Sequence, residues 1–150
     1  VLKKYPDYQS FKDATLQEIL GKEMYDKAMK LEVNHLSSII AINDGQGNFE
    51  WVTLPQIAQL SPIYAVASHD FDRDGDEDLV MGGNLYGAKP EVGRYDASYG
   101  TYLENIGNGE FIQHASNKGF IVSGEVRDIK VLENKILVAR NNDHFILFDF

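Results

Sequence analysis

Asp70-Phe71-Asp72-Arg73-Asp74-Gly75-Asp76-Glu77-Asp78 is the stretch from which the rest of the chain is read. Acids stand at every second position, with a glycine after the third. A short loop of that pattern turns several oxygens toward one point, which suits calcium, a hard cation that takes roughly six to eight oxygen ligands. Asp70, Asp72, Asp74 and Asp78 are expected to give side-chain oxygens. Gly75 permits the sharp turn, so that Asp76 offers its peptide carbonyl, and Glu77 faces solvent. Without an ion the cluster would repel itself, since Arg73 is the only base within the loop. An EF-hand opens in the same way but needs a Glu at its twelfth position and a helix on each side. Here the twelfth position is Met81, and residues 64–68 and 79–81 read as strands, so the loop is expected at the bend of a β-hairpin.

Working outward, period-two patterns with β-branched residues continue on both sides. Residues 37–42 and 49–54 flank a turn at 43–48, and residues 100–105 and 110–115 flank Gly107-Asn108-Gly109. Strands follow at 126–132, 135–140 and 145–150, with Glu133-Asn134 and Asn141-Asn142-Asp143 as turns. That makes nine strands. The hairpins around 70–78 and 107–109 form one four-stranded blade, and the remaining strands form two partial ones.

The run from Asp70 to Asn84 resembles the FG-GAP/VCBS repeat of β-propellers. Asn43-Asp44-Gly45-Gln46-Gly47-Asn48-Phe49 and Asn105-Ile106-Gly107-Asn108-Gly109-Glu110-Phe111 are two copies of a second feature of that family. They lie 62 residues apart, longer than a propeller repeat of about 40–50 residues, and an insertion at 84–99 accounts for the excess. The phrases at 93–100, 124–129 and 139–142 are similar to the C-terminal part of large bacterial repeat proteins of this family, without the ASPIC/UnbV segment those often carry. The resemblance implies a mainly β fold of antiparallel propeller-type blades, a structural Ca2+, and extracellular contact with a protein or carbohydrate. The strands after 124 keep the pattern but have lost the acids, so no calcium is expected there.

The 150 residues, 43% of them hydrophobic, suffice for one real core. A net charge of −9 argues against a nucleic-acid backbone or an anionic membrane as partner. There is no cysteine, so disulfides are excluded. No apolar run approaches the roughly 20 residues needed to span a bilayer. Val1-Leu2-Lys3-Lys4-Tyr5-Pro6 is neither a signal peptide nor led by Met, so the chain is expected to be a piece of a longer exported protein, extracellular or periplasmic. The intact mass of the native product tests this.

Residues 1–36 are expected to form an N-terminal lead-in and two short helices, with 37–150 forming the β blades. Pro6 opposes an early helix, so residues 1–12 should be extended. A helix should start from Asp13 and stop near Gly21, and a second should cover 22–32. Met24, Ala28 and Leu31 would face the sheet, with Glu23–Lys27 and Asp26–Lys30 pairs outside. Three blades cannot close a ring, so open sheet edges invite self-association or a compact non-ring arrangement, which light scattering tests.

The insertion at 84–99 is expected to leave the sheet near the acidic loop. Tyr86, Arg94, Tyr95 and Asp96 are its candidate contact surface for a glycan or a protein, since tyrosine offers both an apolar face and a hydroxyl. The bland reading has Arg94 and Asp96 ordering the loop internally. His69 has no second histidine at metal spacing and reads as an ordinary strand residue. Gly82-Gly83-Asn84 lacks the lysine and serine of a phosphate loop, and the hairpin strand is expected to run over 79–83, so nucleotide binding is not expected. No nucleophile elbow is present. Acids held by calcium cannot serve as general acids, because the cation favours their charged form. The leading expectation is a non-enzymatic, calcium-stabilised recognition or scaffolding module. The alternative is part of a hydrolase or lyase acting on polysaccharide, with its acids in or near the insertion.

Overall fold

In the computed structural model, which describes residues 4–150, the chain divides into a unit ending at Leu36 and a unit of Ser37–Phe150. The first holds three short helices, α1 (Tyr8–Lys12), α2 (Leu16–Leu20) and α3 (Lys22–Lys27). α1 is a departure from the extended lead-in expected here. Pro6 lies outside the helix, before the N-cap Asp7, whose carboxylate accepts Ser10 N–H at 2.7 Å, so the proline costs the helix nothing. The expectation for residues 1–3 lies outside the described residues.

α2 is capped by Thr15, not Asp13. The Thr15-x-x-Glu18 spacing makes a capping box, with Thr15 N–H donating to Glu18 Oε2 at 2.8 Å and Glu18 N–H to Thr15 Oγ1 at 3.3 Å. α3 stops at Lys27, with Ala28 already extended, so the stripe through Ala28 and Leu31 is not built. Glu23 and Lys27 do pair, at 2.7 Å. Lys30 lies over the Tyr25 ring, with no ion pair to Asp26 among the described residues. No helix among the described residues is long and apolar enough to cross a membrane.

The second unit is β1 (Ile39–Asn43), β2 (Phe49–Thr53), β3 (Ile63–His69), β4 (Asp78–Gly83), β5 (Thr101–Asn105), β6 (Phe111–Ile112), β7 (Val126–Leu132), β8 (Lys135–Arg140) and β9 (Ile146–Asp149). The nine strands are mainly where the period-two runs place them, although β6 is only two residues long. They form three antiparallel sheets in the orders β1-β2, β3-β4-β5-β6 and β7-β8-β9. No ring closes among the described residues.

The four-stranded sheet is central because β4 is buried along its whole length. Successive side chains on a strand point to opposite faces. On one face Val80 joins Ala65 and Tyr102 in a core with Val126, Ile129, Ile136 and Val138 of the three-stranded sheet. On the other, Leu79, Met81 and Leu103 pack with Leu54 and Ala58, and Ile40 of β1 lies against them. A strand covered on both sides reads as a continuous apolar run, which is what Leu79-Val80-Met81 is.

Gly82 and Gly83 end β4, within the strand expected over 79–83. A Cβ on Gly82 would lie 2.7 Å from Val126, and one on Gly83 would overlap the Pro62 carbonyl oxygen. They are small so that β7 and the start of β3 can approach β4 closely.

A candidate cation loop and a cleft at the far end of the sheet

The loop joins β3 to β4. His69 and Asp78 are its closing pair, so the hairpin is as expected. Inside it the acids take the backbone's own donors. Asp70 accepts Asp74 N–H and Gly75 N–H, both at 3.1 Å, and Asp74 accepts Asp76 N–H at 2.9 Å. Gly75, at φ 103°, supplies the turn that this requires. The result gathers one carboxylate oxygen each from Asp70, Asp72 and Asp74 within 4.8 Å of one another. Asp72 and Asp74 are exposed and Asp70 is half-buried. Each carboxylate has lone pairs beyond those already engaged.

Asp78 stands outside that trio. It is fully buried and accepts three hydrogen bonds, from Tyr102 Oη at 2.7 Å, Asn105 N–H at 2.9 Å and Phe71 N–H at 3.2 Å. Its side chain thus fastens the loop to β5. Burial, then the bond to Asp78, push the Tyr102 hydroxyl above its ordinary range. Asp76 also lies outside the trio; its expected contribution is a carbonyl. Glu77 is exposed, and its carbonyl accepts Asn105 Nδ2 at 3.1 Å.

The countercharge comes from elsewhere in the chain. Arg73, at φ 67°, makes no ion pair among the described residues. Lys118 instead reaches Asp72 at 2.9 Å and Glu104 at 2.5 Å. It sits in a short 3-10 turn, Asn117–Gly119, held to β5 by Asn117, which accepts Tyr102 N–H at 2.7 Å and donates to Gly100 O at 3.2 Å. Burial works against the Lys118 charge, but its bonds to Glu104, Asp72 and Tyr102 prevail and raise its pKa. The same Lys118 bonds lower those of Asp72 and Glu104, and His114 also bonds Glu104, at 2.6 Å. Nothing within the nine-residue loop signals a lysine 46 residues downstream.

The two Gly-x-Gly turns share two hydrogen bonds. Asn43 accepts Gly45 N–H at 2.9 Å, and Asn105 accepts Gly107 N–H at 3.0 Å. Asp44 N–H reaches Asn48 O at 3.1 Å, and Ile106 N–H reaches Glu110 O at 2.9 Å. The second turn lies beside the acidic loop, and a Cβ on Gly107 would come 3.7 Å from Asp76 Oδ2. His69 makes edge contacts with the rings of Phe71 and Phe150, at 5.4 and 5.1 Å, as a packing residue does.

The insertion leaves β4 at the end opposite the loop, about 17 Å away along a six-residue strand, and not near it as expected. A two-way backbone pair between Leu85 and Tyr95, at 2.8 and 2.9 Å, closes it, bringing Arg94 over the Tyr86 ring at 4.8 Å. Tyr95 is 46% exposed. Asp96 is exposed, and among the described residues it makes no ion pair with Arg94. Asn84, only 2% exposed, anchors the base of the insertion by donating to Ser98 O at 2.7 Å and Gly124 O at 3.0 Å. Tyr86 N–H donates to the buried Glu125, which also pairs with Arg127 at 2.6 Å. Leu85, Tyr86, Gly87, Gly124, Glu125 and Arg127 line an open cleft of about 590 Å³ with residues 141–143. Asn84 and Glu125 were not candidates from sequence; single residues far apart in the chain gave no motif.

Compared with known protein families, curated proteins and solved structures, the chain matches none of them.

Proposed function

We propose that this chain is a non-enzymatic, calcium-stabilised β module of the FG-GAP/VCBS propeller type. It would present a recognition or scaffolding surface to a protein or carbohydrate outside the cell or in the periplasm. The observation that carries this is the convergence of Asp70, Asp72 and Asp74 at the tip of the β3–β4 hairpin. All three donors are oxygens, the set a hard cation prefers. The exposure of Asp72 and Asp74 leaves room for water to complete the shell. The matching hydrogen bonds of the two Gly-x-Gly turns and the face-to-face stacking of the three sheets favour the repeat reading. In it β3–β6 is a whole blade and the other strands belong to its neighbours. The open sheet edges suit self-association.

Asp70, Asp72 and Asp74 would hold the ion, Asp78 would tie the loop to β5, and Lys118 would share Asp72 with it. Calcium, when bound, would add to the positive charge that Lys118 brings to this acidic bend. The hydrolase or lyase alternative calls for an acid with a raised pKa beside the insertion. Glu125, the buried acid there, is shifted the other way by the Tyr86 N–H, Asn141 and Arg127.

The test is a melt with calcium and with chelator. A ligand at 100 times its dissociation constant adds about 2.7 kcal/mol, so chelation should lower the melting temperature by about 5–11 °C at about 2–4 °C per kcal/mol. Asp74→Ala should abolish most of that difference. Superimposable melts in calcium and chelator would remove the calcium reading.

A further inference from the structure

We propose that the cleft between the insertion and the turns at 124–127 and 141–143 binds a neutral carbohydrate. This rests on the recognition reading above and names its ligand and its site. At about 590 Å³ the cleft falls within the roughly 300–1,000 Å³ range of small-molecule sites. A concave site of that size takes one or two sugar rings, whereas a protein partner needs a broad surface of about 800 Å².

The charges in the cleft are already spent on each other. Glu125 is 7% exposed and receives Tyr86 N–H at 2.9 Å, Asn141 Nδ2 at 2.8 Å and Arg127 Nη2 at 2.6 Å. Arg127 also donates to the Asn84 and Val126 carbonyls and lies over the Tyr64 ring at 4.4 Å. Asp143 pairs with Arg140 at 2.7 Å. An anion would have to take Arg127 from Glu125, and a cation would have to take Glu125 from three donors, so a charged ligand gains little. What remains is neutral. Among the described residues the Asn142 amide, the Asn141 Oδ1 and the Tyr86 hydroxyl have no hydrogen-bond partner. Leu85 and Tyr86, on the insertion side, add apolar surface to the lining. Amide and hydroxyl groups beside an apolar wall match a ring that carries hydroxyls on its rim and C–H groups on its face. Glu125 then acts as a positioning residue: through Asn141 and the Tyr86 backbone it ties the 141–143 turn to the insertion.

The full chain is titrated by calorimetry and by amide NMR with cellobiose, maltose and N,N′-diacetylchitobiose, with glucuronic acid as the charged control. A neutral disaccharide should bind and shift the Gly87 and Asn142 amides, and glucuronic acid should bind no tighter. Asn142→Gly removes the amide at a position of φ 55°, which glycine accepts without strain. It should weaken binding by about three- to ten-fold, as should Tyr86→Phe, which removes the hydroxyl and keeps the ring under Arg94, with both variants melting as the parent does. Absence of binding by every neutral disaccharide, binding unchanged in both variants, or preference for glucuronic acid would each overturn the inference. A melt that responds to chelator with no sugar bound strikes the carbohydrate site alone. Sugar binding with a melt indifferent to chelator strikes the calcium reading alone. Recovery of a cleaved disaccharide would support the site and overturn its non-enzymatic character.

Discussion

Tyr102→Phe is the sharpest probe of how the acidic loop is attached. The substitution keeps the ring, which packs edge-on against Phe71 at 6.1 Å, and removes the hydroxyl, which donates to Asp78 and also interacts with Lys118. Asp78 is fully buried, so water cannot replace the lost donor, and the carboxylate is left with two of its three bonds. A hydrogen bond to a charged group contributes about 1.5–3 kcal/mol. At about 2–4 °C per kcal/mol for a chain of this size, the melting temperature should fall by about 3–12 °C. Calorimetry in chelator at neutral pH reads this without any contribution from an ion. In an Asp78→Asn background the same substitution breaks a neutral bond and should cost about 1 kcal/mol. The hydroxyl's pKa is raised in the fold, so its stabilisation is complete below its ordinary value of about 10 and fades as pH rises past it. The gap between parent and variant should therefore narrow in alkali. A Tyr102→Phe melt identical to the parent's at neutral pH would refute the anchoring role of Asp78.

Two further predictions concern the other end of the sheet. Gly83→Ala places a methyl group on the Pro62 carbonyl oxygen, where Asn84 N–H also bonds at 3.1 Å, and should cost about 1–3 kcal/mol or more in the same melt. Full stability in that variant would mean that β3 and β4 are not so closely apposed. Glu125 is held below its ordinary range, so its contribution is present above the unfolded value of about 4.3 and lost as pH falls below it. Glu125→Gln should be less stable at neutral pH but flatter on the acid limb, measured by circular dichroism against pH; parallel acid limbs would contradict this.

The strands were legible because their signal is local. Period-two alternation and Gly-x-Gly turns with asparagine set the hairpins, and the same contacts recur at 43–48 and 105–110. The four-stranded order also followed, since neighbouring hairpins pair by default. The helices were less legible. The Thr15-x-x-Glu18 box outweighed Asp13 as a cap, and Pro6 proved harmless just ahead of Asp7. In the loop the acids were plain, but their division of labour was not. Burial separates Asp78 from Asp70, Asp72 and Asp74, and that burial depends on Tyr102 and Asn105, which belong to the next hairpin. Lys118 and Glu125 were illegible for the same reason, since each draws its role from partners tens of residues away.

That division bears on what an ion would accomplish. A loop whose acids all faced the cation would tighten only itself. Here Asp70, Asp72 and Asp74 lie on one hairpin with the buried Asp78, and Asp78 is bonded to β5 while Asp72 is bonded through Lys118 to Glu104, also on β5. Charge placed at the trio is therefore felt along β5, which forms one edge pair of the central sheet and supplies Tyr102 to one core and Leu103 to the other. Ordering the loop would order the contact between sheets, and stability gained at the tip would be shared by the stack rather than confined to the bend.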